Sequence, residues 1–262
     1  MSAVAELVRY RFLFEQMVRR ELRQKYQGSA LGLAWYLINP LVLMGAYYLM
    51  FGVALKPGFH HDDYPLFLLV GLTVWIFFSQ ALLGAAPSLL DQGALVRKAR
   101  FPRETIPASV VTVQTVTFLA VLGLVAVVTL AVRGTLDPAL VLLPVLLLAL
   151  LAFVLGLALL VSVMHAYYRD VAPILGAVLL PWFFISPIFF EPADITEKAW
   201  ARDLLTWANP MAPFITAVRD VLYDGDWPSA GTVAYVLGAA VLAMAGGLVL
   251  FRRRAAELAV VV

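Results

Sequence analysis

The chain has no cysteine. Disulfides, thiolate catalysis and cysteine metal sites are excluded, and the redox compartment is left unread. Charge is scarce too. Asp, Glu, Lys and Arg make up 14% of the 262 residues, and 63% are hydrophobic, against roughly 25% charged in a soluble chain. That balance belongs to the membrane class. A net charge of +2 gives no reason to expect nucleic acid as a partner. None of the lysines, Lys25, Lys56, Lys98 and Lys198, follows a glycine, so the phosphate-cradling GxxxxGK[ST] loop is missing. The chain is therefore expected to hydrolyse no ATP by that route and to bind no cofactor of its own. There is no HExxH, and no Ser, His and Asp set can be argued for. His60-His61 reads as a solvated turn, without further ligands nearby to hold a metal. A cleavable signal peptide is not expected, because the charged N-terminal stretch lacks an apolar core and a small-residue cleavage site.

What the chain does have is six apolar runs, at 31–55, 64–90, 106–132, 139–164, 171–190 and 231–251. At 1.5 Å per residue, such runs cross about 30 Å of hydrocarbon as helices. Asn39-Pro40 interrupts the first and is expected to kink it. The fourth, nearly all Leu, Val and Ala, suits a lipid-facing helix. An even number of spans puts both termini on one side, and charge selects the side. The N-terminal segment, the 91–105 loop, Arg169 and the Arg252–Arg254 tail hold fourteen of the nineteen Lys and Arg. That asymmetry places both termini in the cytoplasm. No linker divides the chain, so residues 1–262 read as one transmembrane domain.

Three stretches between the spans are more than connectors. Residues 3–26 carry Val4, Leu7, Tyr10, Phe14, Met17 and Val18 at helical spacing, with Arg19, Arg20, Arg23 and other polar groups largely opposite. A basic amphipathic helix of this kind lies at an interface, held by anionic lipid, by a docked protein, or by both. The 91–105 loop puts Arg97, Lys98, Arg100 and Arg103 among Leu95, Val96 and Phe101, with Pro102 and Pro107 at its basic end. Either it only sets topology, or it forms a short helix that a cytoplasmic motor can push. The apolar side chains favour the second. The external segment 191–229 contains two short amphipathic stretches, one with Trp200, Leu204, Leu205 and Trp207 and one with Met211, Phe214, Ile215, Val218, Val221 and Leu222. Asn209-Pro210 turns between them. They either dip into the membrane and return, which requires protein or a water-filled cavity around the backbone, or rest on the outer leaflet.

The runs hold almost no ionisable side chain. Gln80, Gln114 and Asn39 are among the most polar groups at depth. That argues against ion coupling and for an external energy source. Aromatics are plentiful instead: Trp35, Tyr36, Tyr47, Tyr48 and Phe51 in the first run, Trp75, Phe77 and Phe78 in the second, Trp182 and Phe183 in the fifth. Many belong to interfaces or packing. Rings inside a span could also stack on the C–H face of a sugar and line a channel for carbohydrate.

At this point the chain resembles the membrane subunits of type-2 ABC exporters that carry lipid-linked polysaccharides, such as O-antigen, teichoic acid or capsule, out of bacteria. The matching residues are KYQGSALGLAWYLINPL at 25–41, FPRETIP at 101–107, YYRDV at 167–171, SPIFFEP at 186–192 and NPMAPFITAVRDVLYDG at 209–225. Each is weak alone, but the five run in order through nearly the whole chain. The resemblance implies an all-α integral membrane protein of the bacterial plasma membrane, with six transmembrane helices. Two copies would pair as a homodimer with two copies of a separate ATPase, which would bind the ATP and Mg. The N-terminal interface helix would include Arg19, Arg20, Arg23 and Lys25. A cytoplasmic coupling helix in the 91–105 loop, with Arg97, Lys98, Phe101, Pro102, Arg103 and Glu104, would seat in the ATPase, and Arg169 and Asp170 would add a smaller contact. The first and fifth spans would line the channel across the dimer, with Trp35, Tyr36, Tyr47, Tyr48, Trp75, Trp182 and Phe183 as the candidate lining. The two short external helices, with Trp207, Asn209, Pro210 and Phe214, would be gates.

Two other readings stay open on the residues alone. One is an exporter of the same kind for phospholipid or drug. The other is an integral-membrane enzyme acting on lipid-linked sugars, for which Glu104 and Asp170 are the plausible carboxylates, each without a partner nearby in sequence.

Overall fold

The computed structural model describes residues 10–26, 35–54, 63–98, 101–134, 137–192, 198–255 and 257–258. The turn with His60-His61, Gly28-Ser29 and residues 193–197 lie outside them, as do the side chains of Lys25, Tyr36 and Lys98. Every regular element among the described residues is helical. Helix α1 is Arg11–Tyr26, and α2 is Trp35–Tyr47, continued as a π-helical turn over Tyr48–Ala54. The α2 backbone stays helical through Asn39-Pro40, where an interruption was expected. Helix α3 is Tyr64–Ala85, followed by the short α4, Ser88–Asp91, and α5, Gly93–Lys98. Then come α6, Thr105–Arg133, α7, Leu143–Tyr167, and α8, Val171–Ile185. Two short helices, α9 over Ala199–Asp203 and α10 over Ala212–Arg219, precede α11, Ala230–Arg254.

Local chemistry explains most of these limits. Pro65 starts α3, where a missing N–H costs nothing, and the 64–90 run breaks at Ala86-Pro87. Gly134 closes α6 with φ of 71°, a conformation that only glycine adopts cheaply. Ser229 caps α11 by accepting a hydrogen bond from the Thr232 amide at 3.1 Å. Thr73, Thr112, Thr115, Thr117 and Thr129 donate their hydroxyls back to carbonyls one turn earlier, so these apolar helices leave no hydroxyl stranded in hydrocarbon.

Among the described residues, four helices are long and apolar enough to cross a membrane: Tyr64–Ala85, Thr105–Val132, Pro138–Tyr167 and Ala230–Arg254. This is the build of a multi-pass membrane protein. Helix α3 is the central post, buried along most of its length against α6, α7, α8 and α10. Leu119 and Val127 of α6 and Val241 and Leu242 of α11 point outward, as lipid contact demands. Lipid tails give helices no hydrophobic reason to associate, so close packing must do it. The tightest seam joins α7 and α11. A Cβ on Gly156 would lie 2.3 Å from the Ala243 carbonyl carbon. On Gly247 it would lie 2.0 Å from the Gly156 oxygen. The fourth span, expected to face lipid, buries one face of α7 through Leu146, Leu150, Val154 and Ala158, while the other is half-buried, with Val145, Leu148 and Met164 exposed.

Helix α8 departs from its expected 171–190 run. It stops at Ile185, because a residue before proline avoids the helical region and Pro187 donates no amide. Its 15 residues reach only about 22 Å. Residues 186–190 continue without helix, yet all five are buried.

Candidate functional site

Two regions gather the candidate residues, at opposite ends of the helix bundle. At the basic end, α1 lays Met17 on a small apolar cluster with Leu89, Val96, Phe101, Ile106, Val163, Phe251 and Leu258. Arg19, Arg20 and Arg23 stay outward, and Arg19 pairs with Glu15 at 2.6 Å. Phe101 is only 9% exposed. Its ring faces this chain's own interior and anchors the loop, while Arg97 stays at the surface and Pro102, Arg103 and Glu104 are half-buried. The loop is tied on both sides. Gln92 donates to Glu21 on α1 at 3.1 Å. Arg103 donates to the Ala255 carbonyl, and Arg252 reaches Glu104 at 3.5 Å.

The end of α11 also holds the Tyr167–Asp170 link. The Tyr167 hydroxyl donates to Glu257, Arg254 bonds the same carboxylate at 3.0 Å, and its guanidinium lies over the Tyr167 ring. These bonds keep the Glu257 carboxyl below its ordinary range. His165, buried below the link, accepts from the Ala172 amide through Nδ1 at 3.2 Å and fixes the turn. Arg169 and Asp170 are exposed on that turn. A cavity of about 330 Å³ opens beside α1, lined in part by Glu21, Ser88, Asp91, Gln92 and Gln114. Burial, with the Asp91 charge adding to it, raises the Glu21 pKa, although Arg20 and the Gln92 bond pull it down. The role of the C-terminal residues escaped sequence reasoning, which counted Arg252–Arg254 only as topology signals.

Between the two ends, α2, α3 and α8 bring aromatics together. Trp75 packs 6.0 Å from Trp182 and 5.7 Å from Phe183, and Tyr47 lies 5.4 Å from Phe183. Trp75 and Phe183 are buried within the single chain, whereas Trp35 and Tyr48 face outward. The candidate lining therefore divides into a packed group and an exposed pair.

At the opposite end, Asn209 is the hub. Its Oδ1 accepts from Trp182 Nε1 at 2.8 Å and from the Met211 amide at 3.0 Å, and its Nδ2 donates to Ser186 Oγ at 3.0 Å. One amide thus joins α8, the irregular 186–190 segment and the start of α10. Pro210 is half-buried, and Phe214 packs inside, 4.8 Å from Phe153. Trp207 lies on the surface against Tyr235, whose hydroxyl donates to the Trp207 carbonyl at 3.1 Å. Of the two short stretches, the first stays exposed, with Trp200 and Leu204 outward, while α10 is buried.

Arg219 ends α10 and is 2% exposed. Nη1 donates to the Pro187 carbonyl at 2.9 Å, and Nη2 reaches the carbonyls of Ile188 at 3.2 Å and Phe67 at 3.4 Å. The guanidinium carbon sits 3.5 Å from the Phe67 ring centroid, a cation–π contact. Counting charges by side found this residue only as an outer cation. Its signal was position: Val218, Arg219 and Leu222 fall on one helical stripe.

Among the described residues no cluster of three His, Cys, Asp or Glu could hold a metal. Residues 13–223 match the family described as ABC-2 type transporter. The chain is 32% identical to the O-antigen export system permease protein RfbA of Myxococcus xanthus over 98% of its own length and 97% of that protein's. It is 28% identical to the protein of the same name from Klebsiella pneumoniae over 82% of each chain. Identity to the polysialic acid transport protein KpsM of Escherichia coli is 25% over 92% of each chain. A family pattern covering most of the bundle and a relative matched almost end to end establish that this chain belongs to the ABC-2 type transporter membrane family.

Proposed function

We propose that this chain is the membrane subunit of an ATP-driven exporter that moves a lipid-linked polysaccharide across the bacterial plasma membrane. The observation that carries this reading is the near end-to-end similarity to a protein named as an O-antigen export permease. Six spans then cross the membrane. These are the four long helices with α2 and α8, whose apolar stretches are shorter. Both termini lie in the cytoplasm, on the side rich in Lys and Arg. Two copies pair with two copies of a separate ATPase, which holds ATP and Mg.

The chain's own residues supply a mechanism. The basic end receives the ATPase stroke through the surface of α5, where Arg97 is exposed, with Arg169 and Asp170 alongside. Phe101 transmits it by anchoring the loop to Leu89, Ile106 and Phe251. Arg103 and Glu104 pass it to α11. The glycan path runs at the interface between the two copies, where Trp35 and Tyr48 are exposed and the Trp75, Trp182, Phe183 and Tyr47 group stiffens the wall. Stacking of about 0.5–1.5 kcal/mol per ring holds sugars weakly enough for a long chain to slide.

The test is reconstitution with the partner ATPase in proteoliposomes that contain a lipid-linked glycan. ATP-dependent appearance of the glycan on the far face is expected. Its absence, with a phospholipid or drug crossing instead, refutes the reading. In cells, Phe101→Ala with Arg103→Glu is expected to abolish export at matched chain levels.

A further inference from the structure

We propose that Arg219 is a positioning residue that clamps the irregular 186–190 segment, called the strap below, against α3 and so keeps the outer end of the export path shut until the clamp is released. The location at the outer mouth rests on the exporter reading; the clamp itself rests on the chain's geometry.

Once the chain leaves the helix at Ser186, the carbonyls of Pro187 and Ile188 must find donors away from water. The Arg219 fork supplies both, through Nη1 and Nη2, and its face rests on Phe67. One planar group therefore joins α10, the strap and α3. A lysine carries the charge but not the fork, so it cannot hold both carbonyls and stack at once.

Helix α3 carries a seat for this group. Gly71 lies one turn beyond Phe67, and a Cβ there would fall 2.6 Å from Arg219 Nη2 and 3.3 Å from the Ile188 Cα. The glycine leaves the room that cation and strap both need.

The clamp is not fully satisfied. Arg219 Nε is buried and makes no hydrogen bond among the described residues, which leaves part of the desolvation cost of the cation uncompensated. Carboxylates stand close enough to act on the charge: Glu191, just after the strap, and Asp224 and Asp220, just after α10. Their attraction offers the cation compensation that the carbonyls alone leave incomplete.

The absence of cysteine allows a clean test. Ile188→Cys places one thiol at a fully buried position of the strap. The chain is assembled with its ATPase in membrane vesicles and treated with a membrane-impermeant maleimide. Slow labelling is expected at rest, with faster labelling from the outer face during ATP-driven transport. Arg219→Gln is expected to raise the resting rate about tenfold, by relieving a buried clamp on a local opening equilibrium. Arg219→Lys falls between.

Gly71→Ala keeps the cation but takes its seat, so it reports on the clamp even where Arg219→Gln fails to accumulate. It is expected to speed labelling several-fold. Unchanged resting labelling in Gly71→Ala, in protein that folds and exports, overturns the proposal. So does a parental rate that stays flat while glycan is exported. Faster labelling in both variants, in a chain that never moves glycan, supports the clamp and overturns the exporter reading.

Discussion

The two ends of the bundle are held by opposite kinds of polar chemistry. At the basic end the ties are in or near water. Arg252 and Glu104 are both partly exposed, and the Arg254–Glu257 pair lies at the surface. Exposed pairs of this kind contribute about 0–1 kcal/mol and exchange partners readily. At the far end the ties are buried. Asn209 and Arg219 have almost no exposed surface, and their partners include backbone carbonyls or amides of an irregular segment. There a lost partner leaves a group with nowhere to turn. The difference matches the two jobs proposed for the ends. Exchangeable surface ties suit a part that is pushed repeatedly by another protein. Buried, geometrically specific ties suit a part that must stay sealed against leakage.

Substitutions should break the two ends differently. The largest effect is expected at Trp75, which joins α3 to the aromatic group below Asn209. Trp75→Ala should cost about 3–5 kcal/mol and reduce folded chain in a detergent melt. A normal melt with impaired export of long glycans would instead make it a pure lining residue. Asn209→Ala comes next, at about 2–3 kcal/mol, because Trp182 Nε1 and the Met211 amide lose their acceptor. Asn209→Asp, which keeps the acceptor, should lose less in the same melt.

At the other end, Arg252→Ala should shift stability by under about 1 kcal/mol while weakening the response of ATP hydrolysis to substrate. A large loss of stability there would erase the contrast between the ends. The smallest effect is expected at Glu21. Its carboxyl has a raised pKa in the folded chain, so folding favours the protonated form. The associated stability is present at low pH and fades as pH climbs through the carboxylate range and above it. Glu21→Gln should flatten that slope in melts taken across pH, and an unchanged slope would remove Glu21 as its source.

Much of the architecture was legible because hydropathy is a one-dimensional property. The runs at 64–90, 106–132, 139–164 and 231–251 each coincide largely with a long helix. The errors came where the third dimension decides. Pro87 and Pro187 were visible, but the depth at which each ends its helix was not. Nothing in the Leu-rich fourth run reveals that Gly156 touches a backbone almost ninety residues away. Phe101 stood out among the loop charges, yet whether a ring faces inward or toward a partner depends on the cluster beneath it. Arg219 was invisible as a buried group, because a charge count assigns it a side and gives no depth. Asn209-Pro210 was read as a turn. The hydrogen bonds that make it a hub come from residues 182 and 186, on another segment.

The glycine seam between α7 and α11 has a mechanical consequence. Where Gly247 meets Gly156 the backbones touch, so α11 has no side-chain cushion on which to slide. It can rock about that point. Five residues, or about 7.5 Å, separate Gly247 from Arg252, and twelve, or about 18 Å, separate it from Tyr235. A rigid rod pivoted there is a lever with unequal arms. A displacement of about 1 Å at Arg252, where α11 meets Glu104, would become about 2 Å at Tyr235, in the opposite direction. Tyr235 holds Trp207, so any rocking about that point would move Trp207 against the movement of Glu104.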